Sequence, residues 1–221
     1  GTYTMSADTT LVSTGTLTVT LGTFDTSTFV LSPGLLVLGP GSNGNIAKLK
    51  LNAGIHLLTG TGAAFAANSV LPTSILEAGT STLKFTDTSN SGITLTNAKV
   101  LNNVWFARGN STAVITINNS GIYNDFKDTG AVAHTISFAA NTAQGFTTFT
   151  VVGSAGNLIT LQSGTAGTIA SLLCKSGTIN CDYITSKDLL VGGGATWNAG
   201  MAGAHSTMST GNYFGQGFGW A

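Results

Sequence analysis

Short runs of alternating apolar and polar residues recur along this chain, and clusters of Gly, Asn and Ser separate them. This pattern is typical of β-strands that bury one face and are joined by turns. In the first part of the chain it predicts strands at 16–21, 28–31, 35–38, 46–51, 55–58 and 82–86. The small residues at 62–70 instead predict a helical turn or two.

From residue 82 to 184 the predicted strands form a repeat. The motifs NNVWF, YNDFK and FTTFT each begin a unit, and the second strands of these units lie in STAVITI, AHTISF and NLITLQ. Successive units are roughly 20 to 24 residues apart, and a unit of that size cannot bury its apolar face alone. The sequence therefore predicts an all-β fold, a right-handed parallel β-helix or solenoid.

Alternation within the second strands predicts which side chains enter the core. Val114 and Thr116 are expected to face outward. The predicted inward column contains Ala113, Ile115, Ile117, Ile136, Phe138, Ile159 and Leu161. Because paired strands lie about 4.8 Å apart, equivalent residues of successive coils stack on one another. The outer faces are then flat and rich in Thr and Ser, and such faces suit lateral packing or contact with a repetitive ligand.

Three sections are predicted: an N-terminal β section at 1–80, regular coils at 81–200 and a tail at 201–221. Aromatic residues mark the tail and the turn before it, namely Trp197, Tyr213, Phe214, Phe218 and Trp220. Their surroundings are too rich in Gly, Ala, Ser and Thr to predict further strands. Two interpretations stay open, a cap over the last coil or a surface that contacts subunits or sugars.

Composition narrows the class of partner. Charged residues make up 7% of the chain and the formal net charge is zero, whereas 42% of the residues are hydrophobic. The basic residues are scattered, which argues against a nucleic-acid partner. No apolar run reaches the roughly 18 residues of a membrane span, which argues against insertion into a bilayer. Low net charge favours self-association, and we predict a homo-oligomer, either a trimer or a lattice.

Candidate catalytic side chains are few. Asp125 and Asp128 are the closest carboxylate pair in the regular coils, but a strand end and its turn are positions where Asp usually caps the backbone. Arg108 lies in the turn ARGNS and is predicted to be a solvated turn residue rather than a contact to a saccharide or a subunit.

The remaining functional-group patterns also predict no site. His56, His134 and His205 lie in three different sections and are not expected to converge. No phosphate-binding loop, dinucleotide fingerprint, nucleophile elbow or calcium-binding nonapeptide occurs. The sequence predicts no cofactor, no metal and no enzymatic activity.

Cys174 and Cys181 flank a predicted Ser176–Gly177 turn that folds two strands into a hairpin-like corner. Such a corner places both side chains on the same face. A disulfide and two packed free thiols are both compatible with this arrangement. Two cysteines without a matching histidine do not make a zinc site.

The run from Gly79 to Ala199 resembles β-solenoid segments of bacteriophage virion structural proteins and of some bacterial surface proteins. The order of NLITLQSGTAGT, CDYITSKD, GGATW and the terminal GNYFGQGFGW carries this resemblance, which covers a little over half of the chain. Where such tails usually hold an acidic stretch, this chain has His205, Ser206, Thr207 and Met208.

The resemblance implies an architecture and carries no catalytic residue. It implies a structural or adhesive component of a virion, such as a fibre, spike or decoration protein, located on the virion or outside the cell. The expected partners are further copies, other virion or cell-surface proteins and a host-surface glycan. Three alternatives stay open: a bacterial adhesin or filament subunit, a polysaccharide lyase or glycosidase on the same fold, and an ice-binding protein with outward Thr arrays.

Overall fold

A computed structural model describes residues 1–12, 14–39, 46–67, 73–96, 100–199, 205–208 and 213–214. Within these residues every regular element is a β-strand. The first strands are β1 (Thr2–Thr4), β2 (Thr9–Thr10), β3 (Thr16–Val19), β4 (Gly22–Asp25), β5 (Leu31–Ser32), β6 (Leu35–Leu38), β7 (Ala47–Lys50), β8 (Ile55–Leu58), β9 (Gly62–Ala67) and β10 (Ser74–Glu77). The central strands are β11 (Thr82–Phe85), β12 (Ile93–Thr96), β13 (Val100–Phe106), β14 (Ile115–Asn118), β15 (Gly121–Asp128), β16 (His134–Phe138), β17 (Ala143–Val151), β18 (Ile159–Ser163) and β19 (Ala170–Cys174). The last are β20 (Thr178–Cys181), β21 (Ile184–Lys187), β22 (Leu189–Gly193), β23 (Thr196–Ala199), β24 (Thr207–Met208) and β25 (Tyr213–Phe214).

The strands stack in parallel as a β-solenoid of about eight turns, which confirms the predicted fold class. A nine-stranded sheet runs in the order β24-β21-β18-β16-β14-β12-β9-β6-β3, and an eight-stranded sheet in the order β25-β22-β19-β17-β15-β13-β11-β8. A four-stranded sheet, β1-β4-β7-β10, forms a third side of the early coils. Two-stranded sheets, β2-β5 and β20-β23, complete the described architecture.

Coil length follows from the strand register. Ile93 pairs with Ile115 and Ile115 with Ile136, at intervals of 22 and 21 residues, within the predicted range. The two coils between Leu36 and Leu95 are longer, because Leu36 pairs with Phe65 and Phe65 with Leu95, at intervals of 29 and 30 residues. These coils contain the additional strands β7 and β10. The sequence repeat therefore describes the central coils only.

One apolar column passes through the nine-stranded sheet. Leu36, Phe65, Leu95, Ile117 and Phe138 are register partners in consecutive coils, and all five are fully buried. The predicted inward residues of β14, β16 and β18 are confirmed as core. The exception is the predicted residue before β14, Ala113, which is only half-buried.

Aromatic rings form a second stack inside the solenoid. Phe85, Phe106, Phe126, Phe149 and Trp197 follow one another with ring centroids 5.0 to 5.5 Å apart. Offset and tilted ring pairs at these distances stabilise a core beyond the burial of their area. The stack extends over six coils, because the coil that contains β19 and β20 lies between Phe149 and Trp197.

Three local predictions are wrong. The strand predicted at 28–31 does not form, because Phe29 N–H bonds to the Thr26 carbonyl in a turn and only Leu31 belongs to a strand, β5. The segment at 62–70 was expected to be helical, but Gly62–Ala67 is strand β9, because Phe65 continues the apolar column between Leu36 and Leu95. The segment from Trp197 onward was expected to form no strands of its own. It contributes β23, β24 and β25, which pair in parallel with β20, β21 and β22.

The predicted section boundary near residue 80 coincides with a change of architecture. The four-stranded sheet ends at Glu77. The nine-stranded sheet nevertheless continues across it, since β9 pairs with both β6 and β12. The division into separate sections remains a prediction.

Candidate functional site

Three long strands, β13, β15 and β17, bend in the middle and so present two outer facets. Strict alternation of buried side chains breaks at consecutive polar residues, where neither member of the pair is buried. In β13 the pair is Asn102 and Asn103, and in β17 it is Thr147 and Thr148. In a regular strand successive side chains point to opposite faces of the sheet. Two consecutive outward side chains therefore indicate that the strand turns a corner between them.

The first facet contains a groove of about 300 Å³. Val100 and Ile122 are 56% and 60% exposed and stand in register in it, beside the amides of Asn102 and Asn124. The groove lies next to the end of β10, the last strand of the four-stranded sheet. In the following coil the bent strand β13 contributes to the groove. Its lining residues are Leu76, Ala78, Gly79, Val100, Leu101, Asn102, Ile122, Tyr123, Asn124 and Thr147.

The second facet holds a row of two lysines and one tryptophan, Lys84, Trp105 and Lys127. These residues are register partners on β11, β13 and β15. The ammonium nitrogens of Lys84 and Lys127 lie 3.9 and 4.8 Å from the Trp105 ring centroid, which is cation–π geometry. The indole N–H donates to Thr129 Oγ1 at 2.8 Å and so fixes the ring.

Among the ion pairs of the described residues, neither lysine of the row has a carboxylate partner. Other lysines do: Lys48 pairs with Glu77 at 2.5 Å and Lys50 with Asp25 at 2.6 Å. The row therefore holds two positive charges in fixed positions without a direct ion pair. Asp125, two residues before Lys127 on the same outer face of β15, accepts the Thr148 hydroxyl instead.

A ladder of hydrogen bonds runs beside the row on the same outer surface. Asn124 Nδ2 donates to Asn103 Oδ1 at 3.1 Å, and Asn103 Nδ2 donates to Thr82 Oγ1 at 3.2 Å. One coil further, Thr148 Oγ1 donates to Asp125 Oδ1 at 2.5 Å. Asn124 belongs to both the groove and the ladder, so the ladder connects the groove on the first facet with the row on the second.

The two predicted carboxylates lie on opposite sides of β15. Asp125 faces outward and accepts the Thr148 hydroxyl. Asp128 points inward, where its Oδ1 accepts the backbone N–H of Gly130 at 2.6 Å, as expected of a capping Asp. The structure does not bring them together as a pair across a cleft.

Asp128 also forms a buried ion pair with His134, which the sequence did not suggest. His134 Nε2 lies 2.7 Å from Asp128 Oδ2, and Nδ1 lies 2.8 Å from the carbonyl oxygen of Val132. Both ring nitrogens thus face acceptors, as an imidazolium requires. Burial lowers the pKa of His134, but the hydrogen bond and charge of Asp128 outweigh it, and the net pKa lies above its usual value.

Arg108 is buried, so the prediction of a solvated turn residue is wrong. Its guanidinium pairs with Asp87 Oδ2 at 3.0 Å and donates to the backbone carbonyl oxygens of Asp87, Ser89, Ser91 and Ala113. Arg108 therefore fastens the turn of the preceding coil to its own coil. It is a structural residue.

The other histidines also have separate roles. His56 is fully buried; it accepts the Leu31 N–H at Nδ1 (3.2 Å) and donates from Nε2 to the Leu51 carbonyl (2.8 Å). This pattern requires a neutral ring, and burial lowers the pKa of His56. His205 stacks on Tyr183 at 4.3 Å, with Nδ1 3.3 Å from Asp182 Oδ2.

Cys174 and Cys181 are free thiols in this structure and both are buried. The predicted hairpin-like corner is wrong, because β19 and β20 pair in parallel with β22 and β23 and not with each other. Cys174 and Cys181 consequently lie on strands that form different sides of the coil.

Of the tail aromatics, Trp197 is 7% exposed and belongs to the core, with its indole N–H bonded to the Gly192 carbonyl at 3.0 Å. Tyr213 and Phe214 form β25. Phe218 and Trp220 lie outside the described residues. A cap or a contact surface for these aromatics remains a prediction.

Comparison with protein-family models, with curated proteins and with solved structures finds no match for this chain. The resemblance to virion β-solenoids stays a prediction. In the part of the chain that the structure covers, no helix is long and apolar enough to cross a membrane. The same residues contain no group of three or more His, Cys, Asp or Glu side chains arranged to hold a metal ion.

Sequence reasoning missed the row of Lys84, Trp105 and Lys127. The signal was present, since each of these residues is third in its motif, TLKF, NVWF or DFKD. Aligning the three repeats places them in one outward column.

Proposed function

We propose that this protein is a non-enzymatic structural and adhesive component of an extracellular assembly, specifically a bacteriophage virion protein of the fibre, spike or decoration type. Its partners are further copies of the chain and other virion proteins. Its location is the virion or the cell surface to which the virion attaches.

The observation that supports this proposal best is the use of buried ionisable side chains to join successive coils. Arg108 holds the turn that contains Asp87, and His56 bridges Leu31 and Leu51. A buried charge or polar group destabilises a fold unless it is paired or hydrogen-bonded, so Arg108 and His56 stabilise the stack only when neighbouring coils are in place. Such a design gives a rigid rod and is suited to display.

The first coil favours association with another subunit. Tyr3, Val12 and Leu21 are 61% to 74% exposed. Strands β1 and β3 end their sheets, so each has one edge without a partner strand among the described residues. Exposed apolar side chains beside open strand edges are typical of surfaces that pair with another chain.

The proposal is tested by the mass and symmetry of the native particle, measured by light scattering and by electron-microscope imaging. Closed trimers or a regular lattice are the expected result. A stable monomer that cleaves a polysaccharide in a glycan screen would overturn the proposal and favour an enzyme on the same fold.

A further inference from the structure

We propose that the surface formed by Lys84, Trp105 and Lys127 together with the adjoining groove binds an acidic polysaccharide. This inference rests on the proposed adhesive function and adds a site and a ligand class to it. The argument depends on charge, on the fixed placement of the lysines and on the chemistry of the groove.

Charge decides the class of ligand. The formal net charge of the chain is zero, yet the row places two ammonium groups on one facet without carboxylate partners among the described residues. Each ammonium has three donor hydrogens, and contact with one face of Trp105 leaves donors free for an anion. A carboxylate or sulfate of a ligand is complementary to this arrangement.

Trp105 prepares the lysines for binding. An exposed lysine loses side-chain entropy when it holds a ligand, and this loss weakens binding. Here cation–π contacts at 3.9 and 4.8 Å already position both ammonium groups, and the Thr129 hydrogen bond holds the ring between them. Both lysine side chains are therefore ordered before a ligand binds.

Spacing favours a polymer over a single ion. Lys84 and Lys127 lie on strands two coils apart, and their ammonium nitrogens are at most about 8.7 Å apart, because they lie 3.9 and 4.8 Å from the same ring centroid. A chain with repeated acidic groups offers each ammonium an anion of its own, whereas a single small anion must be shared between the two lysines.

The groove beside the row suits the rest of a sugar chain. Val100 and Ile122 offer apolar contact to the C–H faces of sugar rings, and Asn102 and Asn124 offer amide donors and acceptors to hydroxyl groups. Nucleic acid is the less suitable polyanion, because neutralising several phosphates in a row needs more than two basic side chains.

The test measures binding of the full chain to defined oligosaccharides by calorimetry and by tryptophan fluorescence. Hyaluronan oligosaccharides carry a carboxylate on alternate sugars, oligogalacturonate carries one on every sugar, and heparin oligosaccharides add sulfate. Dextran serves as the neutral probe and single-stranded DNA as the other polyanion. We expect hyaluronan to bind best and its affinity to fall as salt is added.

Three variants locate the site. Lys84→Gln combined with Lys127→Gln is expected to weaken binding at least about tenfold, because two charge-assisted contacts are lost. Trp105→Leu keeps both charges and is expected to weaken binding about threefold or more through lost ordering. Lys187→Gln, an exposed lysine on the nine-stranded sheet, is the matched control and should leave affinity unchanged. Melting temperatures of all variants show whether the fold is retained.

Equal binding by the double variant and the wild type would overturn the inference, as would equal affinity for dextran or tighter binding of DNA. If no acidic oligosaccharide binds while the native particle is oligomeric, the inference fails and the proposed structural function stands. If the particle is a monomer with polysaccharide cleavage, the proposed function fails whatever the site binds.

Discussion

The buried pair of Asp128 and His134 allows a sharp test of how charge is held inside this solenoid. Asp128 occupies a core position, in register between Phe106 and Val151, and the two side chains are 1% and 3% exposed. Replacing Asp128 by Ala leaves the imidazolium and the Gly130 N–H without partners. Removing one member of a buried ion pair costs about 3–5 kcal/mol. We expect Asp128→Ala to lower the free energy of unfolding by that amount.

Asp128→Asn is the matched variant. The amide oxygen still accepts the Gly130 N–H, and the amide N–H donates to Nε2 of a neutral His134, whose Nδ1–H keeps the Val132 carbonyl. No buried group then lacks a partner, so the expected cost is only about 1 kcal/mol.

The pH dependence gives a second, independent readout. Because the folded pKa of His134 is raised, its contribution to stability is complete below the unfolded value near 6.5 and is lost as pH rises through the folded pKa. The free energy of unfolding of the wild type should therefore exceed that of Asp128→Asn by the largest amount at low pH. His56 has a lowered pKa and the opposite dependence, but it is present in both proteins and cancels in the difference.

Urea unfolding followed by circular dichroism at pH 5.5, 7 and 8.5 measures these differences. Equal destabilisation by the Ala and Asn variants would refute the charge argument. A stability difference between the wild type and Asp128→Asn that does not change with pH would show that His134 is not held as an imidazolium.

Three further predictions concern packing. Ile136→Asp places a carboxylate in the fully buried column and should lower stability by about 4 kcal/mol or more; an unchanged thermal melt would show that the inward face is assigned wrongly. Gly193→Ala should destabilise by several kcal/mol, since φ is +94° and a Cβ would overlap the Cys174 carbonyl, whereas Gly167→Ala, with φ +75° in open space, should cost about 1 kcal/mol; equal unfolding midpoints would contradict this. Cys174 and Cys181 are both buried, and burial raises the pKa of Cys181 to about 12, so both thiols should react with a thiol reagent only after denaturation; rapid reaction of the native protein would contradict the packing.

Much of the fold follows from signals that are local in sequence. Alternation at Ile136 and Phe138 and the repeat of about 22 residues predict both the inward face and the stacking of coils, because each depends on strand geometry alone. The segment at 62–70 is different. Its small residues have no strong preference of their own, and pairing of Phe65 with residues 29 and 30 positions away makes it a strand.

The surroundings of the charged residues were harder to predict, because they depend on a neighbouring coil. Arg108 lies in a turn, yet its partner Asp87 is 21 residues earlier and encloses it. His134 and Asp128 are close in sequence, but only the coil geometry turns both inward. Conversely, Lys84 lies within an ordinary strand, and the indole beside it comes from the next coil.

In a chain with so few charges, the environment of each charge is informative. Charges that stabilise the stack, such as Arg108 and His134, are buried and paired with carboxylates. Lysines that serve only solubility need no fixed position and retain most of their side-chain entropy in water. Lys84 and Lys127 belong to neither group, since an aromatic ring orders them without neutralising them. Ordered charge without an ion-pair partner on a rigid face is suited to recognition of an anion. In this respect the row differs from Lys48, Lys50 and Arg108, which the structure pairs with carboxylates.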